Sequence, residues 1–117
     1  MSSFRSVPRD EWRPFFDRMS KSLLGKRAEI EIASAELGDQ TIAEWVPMIG
    51  VTYDSKDDLL DVALDRLDHL VYHPKDIAVE EGSEGLLSIA VTAADGARHI
   101  VRLKAPLQLL PPAARPQ

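Results

Sequence analysis

The chain has 117 residues, 44% of them hydrophobic and 28% charged, which is enough to bury one core, too little for two, and too apolar for wholesale disorder. It contains no cysteine, so disulfide frameworks and thiolate metal sites are excluded. The net charge of -5 divides into +4 over residues 1–27, -13 over residues 28–97 and +4 over residues 98–117, a field that opposes docking on nucleic acid or an anionic membrane and favours weak self-association, most simply a homodimer.

Met1 to Pro8 has no apolar leader, and no run approaches the length of a membrane span, so a cytoplasmic protein is expected. Residues 9–24 read as a helix. Trp12, Phe15, Phe16, Met19, Leu23 and Leu24 recur at three- and four-residue steps, the spacing of a core-facing stripe. Asp10 and Glu11 suit its first turn and Gly25 with Lys26 its end, while Pro14 must lie near the first turn or kink it. From Lys26 the period becomes two. Ala28, Ile30 and Ile32 alternate with Arg27, Glu29 and Glu31, the pattern of a strand with one wet face. Leu37-Gly38-Asp39-Gln40 then turns the chain into Ile42–Tyr53, the most apolar run and the expected central strand, bent or bulged at Pro47 and Gly50.

Residues 59–72 admit two readings. Leu60, Ala63, Leu64, Leu67, Leu70 and Val71 fit a helix, and the Leu-rich composition leans that way. Read by twos, Leu60, Val62 and Leu64 share one face, Asp65-Arg66 turns, and Leu70 with Tyr72 opens a second buried face. His73-Pro74 forces an extended or turn conformation. Ile77–Val79 is a short strand. Leu87, Ile89 and Val91 alternate into Asp95-Gly96, a hairpin signal, and Ile100–Leu103 returns. A single domain over 1–106 is expected, followed by a Pro-rich, loosely ordered tail over 107–117.

The stretches Trp12-Arg13-Pro14-Phe15-Phe16-Asp17, Glu44 to Asp54 and Leu67 to Ile77 resemble a family of small bacterial proteins known only as a domain of unknown function, and the likeness covers the chain up to the Pro-rich tail. It implies no activity, ligand or catalytic residue. It does imply that residues 67–77 form a unit ending in a turn, which favours two strands over one helix. The fold class expected is α+β, an N-terminal amphipathic helix packed on an antiparallel sheet or a small SH3-like or Sm-like open barrel.

Three constellations bear on chemistry. Asp68, His69 and His73 place two histidines four apart, a spacing that suits a metal pair but lacks a third ligand unless Asp65 or His99 folds in. Asp54, Asp57, Asp58, Asp61 and Asp65 form an acidic cluster. It fails as a calcium loop, since Leu59 stands where glycine belongs. Ser83 and Ser88 lack the glycine-flanked elbow of a nucleophile. No catalytic residue, metal or cofactor is therefore assigned. The function expected is a non-catalytic protein-binding or regulatory module working through Asp68, His69, Tyr72, His73 and Lys75 on a sheet edge, with His69 and His73 titrating near physiological pH. The alternative is a small metal-dependent or acid-base enzyme using His69, His73 and nearby carboxylates.

Overall fold

The computed structural model describes residues 2–108. Strand β1 (Ser3–Ser6) leads through a 3₁₀ turn (Arg9–Glu11) into helix α1 (Trp12–Leu23), and seven strands follow: β2 (Arg27–Ser34), β3 (Gly38–Asp54), β4 (Leu59–Leu64), β5 (Leu67–Tyr72), β6 (Pro74–Gly82), β7 (Gly85–Ala93) and β8 (Arg98–Leu107). All neighbours run antiparallel, in the order β1-β6-β7-β8-β2-β3-β4-β5. The fold is thus α+β with one large antiparallel sheet. β1 and β5 end the ladder without pairing with each other, so no closed barrel is found among the described residues, and the likeness to SH3-like or Sm-like barrels stays an expectation.

α1 buries the stripe read from the sequence, Trp12, Phe15, Phe16, Met19 and Leu23. Pro14 sits at its third residue, where the missing N–H is one the helix would not have used. The indole Nε1 of Trp12 donates to the Val7 carbonyl at 2.8 Å and pins the entry. At the other end Gly25 takes a φ of 84°, which turns the chain out of the helix. Leu24, expected on the buried stripe, is 68% exposed because it already belongs to that exit.

β3 is the longest element and serves two partners. Its first part pairs with β2, up to Pro47 opposite Arg27, and its second with β4, from Met48 opposite Leu64 to Asp54 opposite Leu59. The expected irregularity is present: Trp45 has a φ of 54°, and a register shift lies between Met48 and Gly50. Once β2 has ended, the outer rail of β3 needs other partners. Gly25 N–H donates to the Met48 carbonyl at 2.8 Å and Met48 N–H to the Lys26 carbonyl at 2.7 Å. Farther along, the Ser20 hydroxyl of α1 accepts from Val51 N–H at 2.7 Å and donates to the Val51 carbonyl at 2.6 Å. Gly50 makes room for this, since a Cβ there would stand 3.0 Å from Ser20 Oγ.

Residues 59–72 form two strands, as the resemblance implies, and the helix suggested by composition is not found. Asp65 and Arg66, the latter with a φ of 65°, make the turn between them and put Leu64 opposite Leu67. That register sets His69 and Val71 inward and leaves Leu70 and Tyr72 outward, reversing the expected buried face. In β7 a register shift between Leu86 and Ser88 buries Leu86 in place of the expected Leu87. β6 extends well beyond the expected Ile77–Val79. β8 runs to a buried Leu107, one residue past the expected end of the domain, and the Pro-rich stretch from residue 109 onward lies outside the described residues.

The core is one cluster. The helical stripe, Met48, Val51, Leu60, Val62, Leu64, Val71, Ile77, Val79, Ile89 and Val101 all belong to it. Phe16, with no exposed surface, is its best probe. Replacing Phe16 with Ala should destabilise the protein by about 3 to 5 kcal/mol in urea denaturation, and a variant that unfolds at the wild-type midpoint would show that the stripe is not packed as described.

Candidate functional site

The five residues singled out on sequence grounds do not converge. Asp68 and Tyr72 stand outward on β5, His69 points inward, His73 is the corner residue between β5 and β6 with a φ of 54°, and Lys75 is exposed on β6. His69 and His73 therefore do not share a face, and each belongs to a different network.

His69 is 9% exposed, and its Nε2 lies 2.9 Å from Nδ1 of His99 on β8. The ring centroids are 5.0 Å apart. Since β5 and β8 are far apart in the ladder, this bond crosses the interior between two parts of the folded-over sheet. One nitrogen must donate and the other accept, so double protonation removes the acceptor. Burial, with a smaller effect from His99, lowers the His69 pKa from 6.5 to about 4. Burial also lowers that of His99, against an opposing pull from Asp95. Titration of His69 near physiological pH, expected from the sequence, is thus overturned by desolvation.

His73 joins a second network centred on Asp58. Its Nδ1 lies 3.3 Å from Asp58 Oδ2, and its backbone N–H donates to the Asp58 carbonyl at 2.8 Å. Tyr53 donates its hydroxyl proton to Asp58 Oδ1 at 2.7 Å. Arg9 reaches Tyr53 at 3.3 Å and Asp58 at 3.4 Å, donates to the Pro74 carbonyl at 2.8 Å, and lies over the Trp12 ring at 4.3 Å. The Tyr53 hydrogen bond, helped by His73 and Arg9, holds Asp58 below its ordinary carboxylate pKa. Burial, then Asp58, raises Tyr53. Asp58 has a φ of 50°, so this network holds two left-handed corners, of the β3–β4 turn and the β5–β6 junction, against the start of the helix. Sequence reasoning missed it because Arg9 and Tyr53 are 44 residues apart and no local pattern joins them.

The rest of the acidic cluster disperses. Asp54 accepts from the N–H groups of Lys56 and Asp57 at 2.9 and 3.3 Å, as a turn residue does. Asp61 faces outward on β4 between Thr52 and Leu70. Its Oδ1 is buried without a hydrogen-bond partner among the described residues, and burial together with Asp68 raises its pKa. Around it the outward surface of β5 carries Leu70 and Tyr72, exposed by 37 and 59%, while Leu67, on the same side as His69 and Val71, is 38% exposed at the start of the strand. Among the described residues no three His, Asp or Glu side chains are grouped to hold a metal ion, and no helix is long and apolar enough to cross a membrane.

The buried histidine gives a signed pH dependence. With its folded pKa depressed, the unfolded chain binds more protons between about pH 4 and 6.5, so this contribution is complete above that window and is lost as pH falls through it. Stability should drop by about 3 kcal/mol between neutral pH and pH 4 on this account. Asp61, raised by burial, acts with the opposite sign above its ordinary value, and Asp58, lowered, acts only below its own. Comparison with His69→Gln in paired urea titrations removes both contributions, and a variant with the wild-type slope would contradict the assignment.

The family model described as a family of unknown function (DUF5335) matches residues 3–112. An uncharacterized protein of Aquifex aeolicus (strain VF5) is 37% identical over 106 residues, spanning 90% of this chain and 96% of that one. No solved structure matches the chain. With nearly the whole sequence under one family model, and a relative alike over almost its full length, the chain belongs to the family of unknown function DUF5335.

Proposed function

We propose that the protein is a non-catalytic binding module that takes an extended segment of a protein partner along the free side of β5. The observation that carries this reading is that among the described residues β5 pairs only with β4, so alternate N–H and C=O groups point away from the sheet beside exposed Leu67, Leu70 and Tyr72. An added strand satisfies those groups, and the apolar side chains supply specificity pockets. Charge selects the partner's chemistry. Asp61 carries a buried oxygen without a partner among the described residues and is opposed by Asp68, so the partner strand carries a Lys or Arg that lies over these two carboxylates. Asp68 and Tyr72 are contact residues in this scheme. His69 supports β5 from behind, and His73 with Lys75 stands at its end.

The alternative, a metal-dependent or acid-base enzyme on His69 and His73, draws no support from the geometry, since the two bond to different partners. Selection of displayed short peptides against the full chain, followed by amide-shift mapping, tests the binding reading. Selected peptides should alternate apolar residues with Lys or Arg, perturb the amides of residues 67–72, and bind Asp68→Lys about tenfold more weakly. Sedimentation across concentration decides whether a second copy of the chain fills the same edge. Peptides without basic residues, or a footprint away from β5, would contradict the proposal.

A further inference from the structure

β2 and β8 lie side by side, with Ile32 opposite His99. The turn after β2, at residues 35–37, and the turn before β8, at residues 94–97, together line a groove of about 440 Å³. That volume is in the range of small-molecule sites. Both walls are held in place: Ser34 Oγ accepts from Leu37 N–H at 3.0 Å, and Asp95 Oδ1 accepts from Ala97 N–H at 3.0 Å. Ile32 and Leu37 give the groove an apolar surface. Its charged lining residues, Glu36 and Asp95, are both carboxylates, and neither enters an ion pair among the described residues. His99 also lines the groove. Its Nδ1 lies 2.9 Å from Nε2 of His69, and burial lowers its pKa, so the ring is neutral near pH 7.

We propose that this groove binds a small amphipathic organic cation, a primary amine on a short apolar chain, with its ammonium between Glu36 and Asp95, its chain on Ile32 and Leu37, and a hydrogen bond to His99. The two carboxylates repel an anionic ligand, and a neutral apolar one leaves them without a counter-charge. A metal ion finds no third ligand, since no such group of side chains exists among the described residues. The groove uses other residues than the outward face of β5, so it stands or falls apart from the partner-strand proposal.

The test is an amide-shift titration of the full chain with n-pentylamine, alongside n-pentanol and pentanoate as neutral and anionic counterparts. The amine should shift residues 32–37 and 95–99 and bind about tenfold more tightly than the alcohol, with pentanoate weakest. The double variant Glu36→Gln, Asp95→Asn keeps the oxygen that accepts from Ala97 and should lose that tenfold preference while leaving alcohol binding unchanged. Equal binding of pentanoate, an unaltered preference in the double variant, shifts confined to another surface, or no binding by any of the three would overturn the proposal.

Discussion

A β-strand that loses its neighbour partway along exposes a rail of hydrogen-bonding groups that must be satisfied or cost stability. β3 meets this constraint at Pro47, where its pairing with β2 stops and its pairing with β4 begins. The solution is a helix turned into a strand substitute. One hydroxyl, Ser20 Oγ, both accepts from and donates to Val51, and the chain at Gly25 and Lys26 does the same for Met48. The side chains of α1 that fill the core lie on the same helix as that hydroxyl, so edge sealing and core burial are one event. Gly50 permits it by leaving the space a side chain would take.

The change of partner also folds the sheet over. β4 and β5 hang from the second part of β3, and β5 comes to face β8 across the interior, where His69 meets His99. A pair of neutral imidazoles suits that place because each ring can supply what the other lacks. At the far end of β5 the Asp58 network ties the β5–β6 corner to the start of the helix through Arg9. β5 is therefore held from behind and at its end while its outer side pairs with no strand among the described residues, and this combination of rigid support with a free edge underlies the binding reading.

Local pattern carried much of the fold into the sequence. The stripe from Trp12 to Leu23 and the alternation of Ala28 and Ile30 are periodic signals, and Pro47 and Asp95-Gly96 are chemical ones. What stayed illegible depends on distance along the chain. Leu70 and Tyr72 look like core residues by composition, yet the register imposed by Asp65-Arg66 turns them outward. His69 and His73 look like a pair by spacing, but a strand ends between them, and their real partners are 30 residues later and 15 residues earlier. Nothing near Ser20 marks it as the seal for a strand 31 residues away.

Hydrogen exchange at Val51 tests this account most directly. In the wild-type chain the Val51 amide should exchange only on global unfolding, as a core strand amide does. In Ser20→Ala it should exchange at least about tenfold faster, while the core stays folded, because the orphaned N–H is then satisfied only by water. A Val51 amide that exchanges in the wild-type protein as quickly as those on the open side of β5, or one that Ser20→Ala leaves unchanged, would show that the helix does not seal the strand.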